Sequence, residues 1–312
     1  MITLLASSAQ LNFDAKSLLI LNVIIALMMF GVSLSLRVED FQRIIREPKA
    51  PAAGMIAQFL LLPALTCLVT VVFNIRPELA LGMMLIAACP GGSLSNIMTW
   101  VARGNLAASI SMTAASSLAA TVLTPLNFTF WANVNPATRA ILRDIDISAG
   151  SLLLQILLVL GLPIVLGMVI GARSPKLVAK TDKPLRWLSL GVFVVFLGIA
   201  FSNNAQLFIE KIDTFFLLVV GHNAMALVTG WLIARAMKLN QADTRAVTLE
   251  SGLQNSGLGL VIIFTFMPEA SEMMLIAAFW GVWHLVSGIA VSSYWARKPI
   301  TDGSEPLRPV AP

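Results

Sequence analysis

The chain has 312 residues, 57% of them hydrophobic and 12% charged, against about 25% charged residues in an ordinary soluble domain. With 21 Lys and Arg, 16 Asp and Glu and a mean hydropathy of +0.84, it carries too little charge to cover a globular surface, which excludes a soluble enzyme and points to a polytopic membrane protein. Two cysteines in apolar runs exclude a disulfide framework, two histidines exclude a histidine-rich metal site, and the net charge of +5 is distributed as a topology signal rather than as a nucleic-acid surface.

In chain order, MITLLASSAQLNFDAK lacks a basic n-region and reads as a short tail. Nine apolar segments follow, at 17–36, 50–73, 78–101, 105–126, 148–171, 187–203, 214–236, 244–266 and 271–296. Each approaches the roughly 20 residues that a helix needs to cross the hydrocarbon core. They are continuously apolar rather than alternating, so all-α spans are expected and a β-barrel is not. With the N-terminus outside, the outer segments hold only Lys16, Arg76, Arg139, Arg143 and Lys211 of the 21 basic residues. The positive-inside rule expects such a bias, and adding or losing one span would destroy it. Trp100, Trp187, Trp231 and Trp295 fall near inner ends and Trp131 near an outer end, as interfacial tryptophans do. The expected location is a bacterial inner membrane, multi-pass, with the C-terminus cytoplasmic.

Four spans carry polar residues at depth. The second holds Gln58 in a long apolar run. The third contains CPGGSLSNIM, where Pro90, Gly91 and Gly92 interrupt the helix and Ser93, Ser95 and Asn96 supply oxygens. A simple kink is the plainer reading of that break. In the fourth, Ser109 and Thr113 share a face that Ser116 continues; helix packing would also account for them. The eighth, TLESGLQNSGLGL, places Glu250 within the membrane with no Lys or Arg in any span to pair with it. A carboxylate there costs about 2.5–3.5 kcal/mol unless it is paired, hydrated or protonated. It is either a protonated acid bonded to a neighbouring helix or the ligand of a small cation. Gly252, Gln254, Asn255, Ser256, Gly257 and Gly259 crowd beside it, and unwound backbone with side-chain oxygens suits a hard cation.

The third span runs inward and the eighth outward, so spans one to four match six to nine in order and opposite in direction. The broken helix is third in each set. Paired broken helices crossing near the midplane form a transporter architecture with substrate and ions at the crossing.

The segments CPGGSLSNIMTWVARGN, ESGLQNSGLGL and FWGVWHLVSG resemble the sodium/bile acid symporter family, over about Asn22 to Trp295. The resemblance implies a nine-span inverted repeat with a panel domain (1–48 and 148–210; spans one, five and six) and a core domain (49–147 and 211–312; spans two to four and seven to nine). It implies sodium-coupled symport of an organic anion by alternating access. One sodium site would comprise Ser95, Asn96, Ser109, Thr113 and Glu250. The other would comprise Gln58, Glu250 and Gln254 with backbone carbonyls at Ser251 and Leu253. Asn96, Asn255 and His284 are the substrate-cavity candidates; His222 and Asn223 match a family pair and read as a buried structural pair. Two sodium ions against one carboxylate leave a local charge of +1 that an anion would offset.

Three features depart from the family pattern. The chain has nine spans where many bacterial members have ten. Ser251 replaces an apolar residue before the LQNSG run. Leu285 stands where bile-acid-binding members often have Asn after VWH, which points toward a 2-oxo or hydroxy carboxylate rather than a bile salt. The rivals are a proton-coupled or arsenite-type exporter, for which Cys89 would be a thiol candidate, and an intramembrane enzyme, against which the lack of a nucleophile–base or two-acid pair argues. The expected partners are Na⁺, the organic anion and the lipid bilayer, with no nucleic acid; the sequence leaves the oligomeric state open.

Overall fold

A computed structural model describes residues 38–144, 157–174, 205–267 and 270–304, with scattered positions in 26–34, 150–154 and 178–195. The spans expected at 17–36 and 187–203, and the start of that at 148–171, lie largely outside the described residues. Among the described residues the chain is helical and has no strand, only one isolated bridge. Four helices are long and apolar enough to cross a membrane: Lys49–Val72, Leu106–Val134, a stretch from Phe215 to Ala236, and Ser271–Ala296. Pro77–Ala88, Leu162–Arg173 and Ser256–Phe266 are shorter apolar helices.

Helix α1 (Val38–Arg46) has Glu39 and Asp40 in its first turn and Arg43 and Arg46 in its last, an arrangement that complements the helix dipole. Helix α2 (Lys49–Val72) buries Gln58, Leu62, Thr66 and Thr70, one residue per turn along one face, and exposes Leu60, Leu68 and Val72. It passes through a π-turn at Ala57–Leu61, just before Pro63. Proline lacks the N–H and its ring presses on the carbonyl one turn back, so the ladder widens there. The same device recurs at Leu157–Gly161 before Pro163, where α7 (Leu162–Arg173) begins. Gly167 and Gly171 of α7 let the chain at Phe30–Leu34 approach closely, and Ser33 donates to Pro163 O.

The spans expected at 78–101 and 244–266 are each broken. Helix α3 (Pro77–Ala88) begins on a proline and ends at Cys89, which is extended because Pro90 disfavours helix in the residue before it. Helix α4 (Leu94–Val101) restarts after Ser93. Helix α5 (Leu106–Val134) follows, capped by Asn105; it runs through Pro125 and past the expected end at 126. Helix α6 (Pro136–Asp144) is a short segment after α5. After α8 (Ala205–Ala236), α9 (Gln241–Gly252) is capped by Asn240, and α10 (Ser256–Phe266) by Asn255. Helix α11 (Ser271–Ala296) closes the order.

The two breaks meet. Gly91 and Gln254 form an antiparallel bridge, with Gly92 N donating to Leu253 O at 2.7 Å and Asn255 N to Pro90 O at 2.8 Å. The broken spans therefore run in opposite directions at the crossing. Their freed carbonyls find side-chain donors: Thr124 of α5 to Ala88 O (2.8 Å) and Asn223 of α8 to Gly252 O (2.7 Å). Backbone polar groups at membrane depth need such partners. Around the crossing, α3, α10 and α11 pack as an apolar core that includes Ile86, Phe264, Met273 and the fully buried Trp280.

Candidate ion and substrate site

Three elements bring oxygens to one side of the crossing. Glu250, near the end of α9, is fully buried. Ser95 of α4 donates to its Oε2 at 2.5 Å. Thr113 of α5 lies 3.0 Å from Oε1 and 2.9 Å from Oε2. Its hydroxyl also sits 3.2 Å from Asn96 Oδ1 and 3.0 Å from Ser109 O. Ser109 donates to Asn96 Oδ1 at 2.8 Å. The five residues of the first expected ion site thus form one hydrogen-bonded cluster.

Its proton count is short. Thr113 has one hydroxyl hydrogen and four acceptor oxygens within 3.2 Å. With Glu250 ionised and Asn96 Oδ1 turned to the hydroxyls, the remaining contacts set oxygen lone pairs against one another. A hard cation with oxygen ligands resolves that crowding, and the donor set has no sulfur or imidazole to favour a softer metal. Among the described residues no Lys or Arg lies within ion-pair distance of Glu250, and none of the His, Cys, Asp and Glu form a group of three or more that could hold a metal. Gly91 makes the approach possible: a Cβ there would overlap the Glu250 carboxylate.

The second expected site is assembled less completely. Gln58 accepts from Gly91 N at 3.4 Å, which links α2 to the break. Gln254 donates to Ser251 O at 3.0 Å, and Leu253 O accepts from Gly92 N. Each of those carbonyls keeps a second lone pair. Gln58 Nε2, Gln254 Oε1 and Ser251 Oγ are buried with no protein partner.

Of the substrate candidates, Asn96 belongs to the oxygen cluster, and Asn255 caps α10 by accepting from Leu258 N. His284 is buried on α11, with Nδ1 2.6 Å from Trp280 O. A carbonyl only accepts, so Nδ1 carries the hydrogen and Nε2 of the neutral ring is an acceptor. Gly288, one turn further along α11, packs against Leu253 of the break. Helices α4 and α10 both begin at the crossing, so their positive dipole ends gather there.

The sequence signature of the sodium bile acid symporter family matches residues 22–211. The chain belongs to this family. Its relatives include the uncharacterized sodium-dependent transporter YocS of Bacillus subtilis, 31% identical over 89% of this chain and 83% of its own. The human sodium-dependent organic anion transporter is 26% identical over 92% of this chain and 75% of its own. The human ileal sodium/bile acid cotransporter is 28% identical over 80% of this chain and 70% of its own. As a member of the sodium bile acid symporter family the chain is a multi-pass membrane transporter and not an enzyme, and sodium-coupled transport is the activity of its class.

The structure also accounts for residues with ambiguous sequence signals. Thr66 gives its one hydrogen to Leu62 O, so His222 Nε2 must donate to Thr66 Oγ1 (2.8 Å), and the His222 ring stacks edge-on against Trp280. With Asn223 capping α9, the His222–Asn223 pair is structural. Cys89 is fully buried beside Gly259, a packing role rather than an exposed thiol. Arg245 is counted among the inner cations in the charge map, yet it is only 5% exposed and donates to three backbone carbonyls. Its sequence signal is its place five residues before Glu250.

Proposed function

We propose that this transporter carries an organic anion inward together with two sodium ions. The observation that supports it is the proton-poor oxygen cluster around buried Glu250 at the crossing of the two broken spans. One ion is assigned to Ser95, Asn96, Ser109, Thr113 and Glu250. The other is assigned to Gln58, Glu250, Gln254 and the carbonyls of Ser251 and Leu253. Two monovalent cations against one carboxylate leave an excess positive charge in a low-dielectric site, where uncompensated charge is costly. An anion between the dipole ends of α4 and α10, near Asn96, Asn255 and His284, offsets it. The names of the human relatives, an organic anion transporter and a bile acid cotransporter, agree with an anionic cargo.

Access alternates, in this reading, as core spans two to four and seven to nine move against panel spans one, five and six. Leu285 gives the substrate wall an apolar residue, and a small 2-oxo or hydroxy carboxylate is the proposed class. A hydroxyl on such a substrate can donate to His284 Nε2, which a neutral ring with Nδ1–H leaves as an acceptor.

The test is reconstitution in vesicles with the interior end of the chain inside. Labelled small carboxylates are offered with an inward sodium gradient and again with the gradient collapsed by an ionophore. Uptake should follow the gradient, and anion affinity should rise with sodium, with the reciprocal effect of equal size. Uptake indifferent to sodium, or binding of neutral solutes only, overturns the assignment.

A further inference from the structure

The two faces of the oxygen cluster come from separate half-helices, Ser95 and Asn96 from α4 and Glu250 from α9. Their backbones are joined at the break, where Gly92 donates to Leu253 O and Asn255 to Pro90 O. Bonds at one place act as a pivot, beside which Met98 and Ala102 at the α4 side pack in one cluster with Leu249 and Leu253 at the α9 side. A second tie lies at their inner ends. Arg245 Nη1 donates to Ala102 O at 2.7 Å and to Trp295 O at 3.2 Å, and Nη2 to Lys298 O at 2.9 Å. Ala102 is the C-cap of α4, and Trp295 lies in the last turn of α11. Carbonyls at helix ends lack a full set of internal partners, and Trp295 O also accepts from Lys298 N at 3.0 Å. Two negative dipole ends and three carbonyls hold the guanidinium, and among the described residues no carboxylate lies within ion-pair distance of it.

We propose that Arg245 is a positioning residue for the sodium-binding cluster, fixing the distance between Glu250 and the Ser95–Asn96 segment by tying α9 to the inner ends of α4 and α11. The inference rests on the reading of that cluster as a sodium site. Along α9 the pivot at Leu253 and the tie at Arg245 are about 12 Å apart at 1.5 Å per residue. Glu250 lies between them, and Ser95 and Asn96 lie between Gly92 and Ala102 on α4. Two ties bracket the cluster and, with that packing, fix the crossing angle. Asn105 extends the junction to α5, which carries Ser109 and Thr113: its N donates to Ala242 O at 3.0 Å and its Nδ2 to Asp243 Oδ1 at 2.7 Å. Loss of Arg245 therefore loosens the junction without severing it. Lysine keeps the charge but lacks the planar fork that reaches several carbonyls at once.

Full-length Arg245→Gln and Arg245→Lys are titrated with NaCl against choline chloride at constant ionic strength, with binding followed by calorimetry where each protein is folded. Glu272→Gln serves as the stability control, because it breaks the outer Arg76–Glu272 ion pair (2.7 Å) far from the inner junction. Arg245→Gln should raise the sodium half-saturation about tenfold, the usual scale for losing a group that orients an ion's ligands. Arg245→Lys should recover part of that, and Glu272→Gln should lower the melting temperature with half-saturation unchanged. Glu250→Gln is run alongside. If it titrates like the parent, the sodium-site reading fails and takes this inference with it. If Glu250→Gln loses binding while folded Arg245→Gln keeps the parental half-saturation, Arg245 is only a staple and the inference alone is wrong. Should Arg245→Gln not fold, parental half-saturation in Arg245→Lys overturns it.

Discussion

Gly91 and Glu250 approach so closely at the crossing that a methyl group on Gly91 would occupy the space of the carboxylate. The glycine lies in the break between α3 and α4 and the acid near the end of α9, so the contact couples the two breaks directly. Neither residue has a positive φ that would demand glycine for conformational reasons. The requirement at position 91 is space, and it concerns a fully buried carboxylate.

Gly91→Ala should therefore displace Glu250 from Ser95 and Thr113 and weaken sodium binding by about tenfold or more. Gly92→Ala is the matched control. A Cβ there would meet Leu253 O at 3.4 Å and Asn255 at 3.8 Å, ordinary contact distances. Sodium titrations of both variants check the contrast.

The two proposed ion sites share Glu250 and differ in their other ligands. Thr113→Ala removes the hydroxyl that touches both carboxylate oxygens and should weaken one binding step by about 2 kcal/mol, close to thirtyfold. Thr113→Ser keeps the hydroxyl and should restore most of it. Gln254→Ala should act on the other step. Calorimetric isotherms resolved into two steps should show the two substitutions on different steps.

At the start of α9, Asp302 accepts from Gln241 N at 2.6 Å and so caps the helix, while Gln241 and Thr301 exchange two further hydrogen bonds. The Ser304 hydroxyl, with the Gln241 and Ser304 amides, holds the Asp302 carboxyl below the usual carboxylate range. A group depressed on folding contributes stability above its unfolded pKa and loses it as pH falls through the folded value. Asp302→Asn should accordingly melt at a slightly lower temperature than the parent at pH 7. The difference should shrink once the pH falls below about 4. Melting curves across that range check the sign.

Much of this was legible along the chain because the signals are local. Pro90-Gly91-Gly92 and Gly252 to Gly257 mark breaks by their own backbone chemistry, and Glu250 stands out in an apolar run by its cost there. The hydroxyl stripe of Ser109 and Thr113 was ambiguous alone and acquires meaning only beside Glu250. The π-turn that carries Gln58 was not legible, although Pro63 is its local cause, because proline also ends or kinks helices. The caps supplied by Thr124 and Asn223 were hidden for another reason: each serves a carbonyl on a distant segment. Arg245 looked like a topological charge because its partners are backbone carbonyls, which carry no residue-specific signal.

The central claim is that Glu250 is the shared anionic ligand of two sodium ions. Calorimetric sodium titration of the parent and Glu250→Gln, in the same detergent and at constant ionic strength, tests it most directly. The amide keeps the size of the side chain and removes its charge. The account predicts saturable binding by the parent and loss of both binding steps in the variant. Sodium binding by Glu250→Gln with the parent's affinity and stoichiometry would contradict it.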